Sequence, residues 1–113
     1  MKYVFVEESW DDYLYWQQTD KKKLRKINEM LKDIARNPFE GLGKPEPLKH
    51  KYSGFWSRRI DDEHRLIYRC VDDEIQIAKC LFHYDWLVKS KIYLTNQLTR
   101  IIYSMNIVDS RGD

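Results

Sequence analysis

Apolar positions change their spacing once along this chain. Between Asp20 and Asn37, Leu24, Ile27, Leu31 and Ile34 recur at three- and four-residue steps, which lays them along one side of a helix. After Pro47 the period shortens to two in "GFWSRRI", "HRLIYRC" and "EIQIAKCLFHY", the spacing of strands with one buried face. The remaining elements are placed around these. Lys2 to Val6, short and rich in Val and aromatics, predicts a first strand. Ser9 with Asp12 three residues on predicts the start of a first helix, which runs to about Gln18 with Trp10, Tyr13, Leu14 and Gln17 on one side. Thr19 or Asp20 caps the second helix, and Asn37 with Pro38 ends it. A short strand is expected over Leu48 to His50. Acidic turns at Asp61 to Glu63 and Asp72 to Glu74 join the last three strands and are short enough to make them antiparallel neighbours. The predicted fold is α+β, an N-terminal helical hairpin packed on a mostly antiparallel sheet whose other face is at least partly free for a ligand.

Composition narrows the class without changing that outline. A chain of 113 residues, 42% hydrophobic and 14% aromatic, suffices for a single core and excludes general disorder. Lys and Arg number 20 against 18 Asp and Glu, a formal net charge of +2, so distribution decides more than total. Two stretches are basic, "KKKLRK" from Lys21 to Lys26 and the Arg58–Arg59 pair. The first is either a solvated helix face or a surface that contacts phosphate. Cys70 and Cys80 lack metal-ligand spacing and read as reduced core or near-core residues, with a disulfide between them as the alternative. "MKYVFVEESW" turns acidic too soon for a signal peptide and no stretch is long enough to span a bilayer, so a cytoplasmic protein is expected.

The candidate chemistry begins at "GKPEPLKH", where Glu46 stands between Pro45 and Pro47. Each proline fixes its own φ and biases the residue before it toward extended backbone, so this carboxylate is stiffly held. Downstream lie Arg59, Arg65, His83 and Tyr84. Together these are the parts needed to cleave RNA through its own 2′-hydroxyl. Such a reaction needs a base for that proton, cations for the charge building on the phosphate, and an acid for the leaving 5′-oxygen. Glu46 fits the base, and His83 the acid, since imidazole titrates near neutrality. Arg59 and Arg65 fit a phosphate clamp, Lys49 adds positive charge beside Glu46, and Tyr84 can contact the phosphate or stack on a base. No metal or other cofactor is required by this chemistry. Each residue also has a structural alternative: Glu46 as a loop cap, the two arginines as partners of Asp61, Asp62 or Glu63, and His83 with Tyr84 as a strand end. His50 and His64 rank lower because they lie in loop and turn surroundings, and Trp56 reads as sheet packing more readily than as a base platform.

The stretch from Ser9 to "FHY", with "PFEG", "GKPEPLKH", "SGFWSRRI", "EHRLIY" and the closing "HY", resembles the YoeB family of the RelE-like toxin superfamily. The resemblance covers essentially residues 1–84. It implies a microbial ribonuclease-like fold and a toxin that cuts mRNA in the A site of the 70S ribosome, leaving a 2′,3′-cyclic phosphate and a 5′-hydroxyl. It also implies a YefM-like antitoxin partner, a homodimer, and contact with 16S rRNA through the basic helix. In that family pattern Glu46 is general base, Arg65 stabilises the transition state, His83 is general acid, and Lys49, Arg59 and Tyr84 support them. The domain expectation is a toxin domain over 1–84 and an extension over 85–113. In that extension Leu94, Leu98, Ile101 and Met105 are spaced for a weakly amphipathic helix; extra packing, a dimer contact and appended sequence are all open. Two other classes stand beside the nuclease. One is a non-catalytic RNA or ribosome binding protein, the other a structural partner whose basic helix recognises an acidic peptide.

Overall fold

The computed structural model describes residues 1–83. In chain order the elements are β1 (Lys2–Phe5), α1 (Glu7–Thr19), α2 (Lys21–Arg36), β2 (Glu46–Pro47), a 3-10 turn (His50–Tyr52), β3 (Trp56–Arg59), β4 (His64–Val71) and β5 (Glu74–His83). The strands form one sheet in the order β1-β5-β4-β3-β2. Every neighbouring pair is antiparallel except β1 with β5. The α+β architecture is the expected one. Among the described residues no helix is long and apolar enough to cross a membrane.

The α2 stripe does what its period requires. Ile27, Met30, Leu31 and Ile34 are buried, and they join Trp16, Leu66, Tyr68, Ile75, Ile77 and Cys80 in one core. Asp20 starts the helix by accepting the Lys22 and Lys23 backbone N–H groups at 3.1 and 3.3 Å. Asn37 and Pro38 end it as expected, with the Asn37 N–H bonded to the Asp33 carbonyl. The β4–β5 connection is a two-residue turn, Asp72 at φ 50° and Asp73 at φ 63°. That is the primed turn whose twist suits a hairpin, and aspartate is among the residues that tolerate it. Cys70 and Cys80 are free thiols, and burial pushes both upward in pKa.

Two expectations are corrected. The first helix begins at Glu7, so Ser9 sits inside its first turn, where Oγ accepts the Val6 N–H at 3.0 Å and donates to the Val6 carbonyl at 3.1 Å. Its buried residues are Ser9, Asp12 and Trp16, while Trp10 and Gln17 are exposed. An apolar stripe fails here because α1 packs on β5 where the strand offers backbone polar groups: Asp12 accepts the Cys80 N–H at 3.1 Å and pairs with Lys79 at 2.9 Å. Burial pushes the Asp12 carboxyl upward in pKa against the pull of Lys79.

The second correction concerns Leu48 to His50, which is not a strand. β2 ends at Pro47, with one further bond from the Leu48 N–H to the Phe55 carbonyl at 2.8 Å, and His50 enters a 3-10 turn in the left-handed region at φ 58°. A residue in the left-handed region cannot extend a strand, so the chain leaves the sheet here.

Candidate active site

Glu46 is positioned by the loop before it. Gly43 at φ 79° and Lys44 at φ 50° turn the chain so that the Gly43 carbonyl accepts the Arg59 N–H at 2.6 Å. A Cβ on Gly43 would lie 2.7 Å from Met30 Sδ and 3.0 Å from the Arg59 carbonyl, so the approach needs glycine. Lys44 therefore departs from the extended geometry expected before Pro45. Glu46 then pairs with Ser57 and Pro47 with Trp56, which puts an exposed carboxylate on the outermost strand.

The wider loop is held by Arg58, which the sequence groups with the surface cations. It has no solvent exposure. Its Nε donates to Tyr68 Oη at 3.1 Å, Nη1 to Asp33 Oδ2 at 2.6 Å and the Leu42 carbonyl at 3.1 Å, and Nη2 to the Asn37 and Glu40 carbonyls at 2.6 and 2.9 Å. The Arg58 guanidinium and the Leu42 N–H hold the Asp33 carboxyl below its ordinary pKa. Tyr68 completes the anchor by donating to the Pro38 carbonyl at 2.6 Å. One signal could have revealed this role: at period two, Arg58 falls on the same face as Trp56 and Ile60.

The same alternation sends Ser57 and Arg59 to the face away from the helices. Arg59 is in register with Arg65, Ser57 with Ile67, and Glu46 with Ser57. Glu46, Arg59 and Arg65 thus share one face across three adjacent strands, a width of roughly 10 Å at ~4.8 Å per strand. Glu46 is exposed there and Arg59 partly so, whereas Ser57, Arg65, Ile67 and Gln76 are buried. Arg65 Nη1 donates to the Asp61 and His64 carbonyls at 2.8 and 3.1 Å, which ties its guanidinium to the β3–β4 turn. Burial pushes the Asp61 carboxyl up in pKa, but the His64 and Glu63 N–H groups and Lys23 prevail and hold it below its ordinary value.

Lys49 is exposed on the segment after β2, where its carbonyl accepts the Tyr52 N–H at 3.2 Å. His83 ends β5 in register with His64, and Phe82 beside it is opposite Arg65. The placement of the His83 imidazole, all of Tyr84, and the extension over 85–113 with its expected helix lie outside the described residues. His50 is exposed in the 3-10 turn, and the His64 ring meets Trp16 edge-on at 4.9 Å. Trp56 packs against the core and against Phe39 at 4.8 Å, in keeping with sheet packing.

On α2, Lys21, Lys22, Arg25 and Lys26 are exposed, and Lys23 pairs with Asp61 at 3.2 Å. Lys22, Arg25 and Lys26 line a cleft of about 460 Å³ between α2 and the Leu42–Gly43 loop. A second cleft of about 300 Å³, with Lys26, Lys44 and Arg59 on its walls, continues toward the sheet. Cationic groups, interspersed with Glu29, Asp61 and Asp62, therefore run from α2 to the edge of the Glu46 face.

A family model for the YoeB-like toxin of bacterial type II toxin-antitoxin systems matches residues 5–84. The chain belongs to this family. Toxin YoeB of Escherichia coli (strain K12) is 66% identical over 84 residues, which are 74% of this chain and 100% of that protein. The structure of the YoeB dimer from Staphylococcus aureus matches with 50% identity and a TM-score of 0.71, over 74% of this chain and 98% of that one. A heterotetrameric YoeB-YefM toxin-antitoxin complex from the same species matches with 50% identity and a TM-score of 0.70, at the same coverage. For this YoeB-like chain the matched segment and the described elements coincide almost residue for residue, and the resemblance read from "GKPEPLKH" and "SGFWSRRI" is confirmed.

Proposed function

We propose that this YoeB-like toxin is a ribosome-dependent mRNA endoribonuclease acting in the A site, with a YefM-like antitoxin as its neutralising partner. The observation that carries the reading is the shared face on which Glu46, Arg59 and Arg65 lie on neighbouring strands. Glu46 takes the proton from the 2′-hydroxyl, whose oxygen attacks the adjacent phosphorus. Arg65, with Arg59 and Lys49 near the rim, meets the charge that builds on the phosphate oxygens. His83 gives its proton to the leaving 5′-oxygen, so the products are a 2′,3′-cyclic phosphate and a 5′-hydroxyl. Tyr84 contacts the phosphate or the base beside it. The cationic surface of α2 supplies affinity for ribosomal RNA. The solved relatives that crystallise as a YoeB dimer and as a YoeB-YefM heterotetramer support a homodimer and an antitoxin partner here, in the cytoplasm where ribosomes are.

Single-turnover cleavage of ribosome-bound mRNA tests the chemistry. Glu46→Ala should slow the cleavage step far more than it weakens ribosome binding, and a message with 2′-deoxy at the cut position should resist the wild type. Efficient cutting of the 2′-deoxy message refutes internal attack, whereas an unimpaired E46A removes only the base assignment. A chain that occupies the A site and cuts neither message is the non-catalytic binder.

A further inference from the structure

β1 ends at Phe5, opposite Ile77, but β5 runs on to His83. Beyond Ile77 no described strand lies on the edge that β1 has left. Two side chains of α1 take its place. Asp12 Oδ2 accepts the Cys80 N–H at 3.1 Å, and Trp16 Nε1 donates to the Cys80 carbonyl at 2.7 Å. The N–H and C=O of one strand residue point to the same edge, so both edge groups of Cys80 are satisfied by a helix in place of a strand. Both side chains are almost wholly buried, at 6% and 5% exposure. Lys79 Nζ fixes Asp12 from the other side at 3.0 Å, and the Trp16 ring rests edge-on against His64, the residue in register with His83. The β4–β5 register also shifts twice, between Arg65 and Ile67 and between Ile67 and Tyr68. The ladder alone therefore specifies the last rungs of β5 poorly.

We infer that Asp12 and Trp16 are positioning residues, which set where the end of β5, with Phe82 and His83, falls relative to Arg65. The inference rests on the reading of His83 as general acid. A shift of about 1 Å in a reacting group can cost ~10²-fold in rate, so modest slippage of this strand end is enough to matter.

The test is a double-mutant cycle in single-turnover cleavage of ribosome-bound mRNA. Trp16→Phe keeps an aromatic ring against His64 and removes the N–H donor. It should slow cleavage about 10-fold, with ribosome binding changed less than about twofold, and should have no further effect in a His83→Ala background. An equal penalty in both backgrounds overturns the positioning role, because the loss is then general stability. An H83A enzyme that cleaves at the wild-type rate overturns the acid assignment, and with it the route through which α1 acts. A second comparison stands if W16F does not fold. Asp12→Asn/Lys79→Met retains an acceptor for the Cys80 N–H and should cleave about 10-fold faster than Asp12→Leu/Lys79→Met, which has none; equal rates for the two overturn the inference.

Discussion

Replacing Arg58 by alanine should cost this domain a large share of its stability, because the residue is wholly buried. Its guanidinium spends all five N–H groups on Tyr68, Asp33 and three loop carbonyls. Five charge-assisted bonds summed singly would exceed the stability of a small domain, roughly 5–15 kcal/mol. They do not add, because Asn37, Glu40 and Leu42 are exposed and their carbonyls can bond water once the guanidinium is gone. What water cannot easily restore is the buried half of the arrangement: an Asp33 carboxylate with about one-fifth of its side chain exposed and a cavity beside Tyr68. Removing one partner of such a pair costs about 3–5 kcal/mol. At a urea dependence of roughly 1–2 kcal/mol/M the midpoint falls by about 1.5–5 M. Arg58→Lys keeps the charge near Asp33 but lacks the fork, and should lose about half as much. Urea unfolding followed by tryptophan fluorescence measures both. Hydrogen exchange at the Leu42 amide, which donates to Asp33 Oδ2 at 2.9 Å, reports the loop directly. An R58A midpoint within about 0.5 M of wild type would refute the claim that this arginine organises the loop leading to Glu46.

Arg65→Ala should lower single-turnover cleavage by about 10²-fold or more, and Arg65→Lys should recover only part of it; wild-type cleavage by folded R65A makes Arg65 structural. Because Asp33 titrates below its ordinary value of 3.8 in the folded state, the stability it adds is complete above that value and disappears as pH falls through the lower folded one. Asp33→Asn should thus be less stable than wild type near neutrality, with the gap closing in urea titrations as pH falls below 3.8; a constant gap contradicts this. Gly43→Ala should destabilise the loop by at least ~1 kcal/mol, read as a lower melting temperature, since the new methyl meets Met30 and the Arg59 carbonyl. A stop after Tyr84 should leave a chain that melts cooperatively and cleaves, because residues 1–84 hold every proposed catalytic group; loss of the cooperative melt shows that 85–113 belongs to the core.

How much of this was legible depends on whether local spacing carried the information. Leu24, Ile27, Leu31 and Ile34 announce α2 because a single apolar stripe is all that helix needs. The last three strands are equally plain from their alternation and their acidic turns. The α1 face is not, since Asp12 is buried for the sake of the Cys80 N–H on β5, and Ser9 closes the first turn on Val6 while its carbonyl accepts from the Cys80 thiol, contacts that no local pattern reveals. Arg58 is hidden by its charge, which marks it as a surface residue until its alternation with Ser57 and Arg59 is taken seriously. For the site, residue types and motif were enough to single out Glu46, Arg59 and Arg65. Their common face needed the register Glu46–Ser57 and Arg59–Arg65, a fact about pairing between distant segments.

The parallel pairing of β1 with β5 has a consequence for how the molecule comes into being. Lys2 lies opposite Glu74 and Phe5 opposite Ile77, so the first of the described strands to be synthesised waits for the last of them. Contacts so far apart in sequence are slow to form, because the entropy of closing the intervening loop must be met first. Until β5 is free of the machinery that makes it, β1 has no neighbour in the sheet and the core lacks Ile75, Ile77 and Cys80. The helical hairpin can assemble early from its local contacts, yet the proposed base and acid cannot share a folded scaffold before the final strand docks. The sheet that would carry the proposed site therefore closes only after residues 74–83 have been made, so the proposed activity would begin as an all-at-once event.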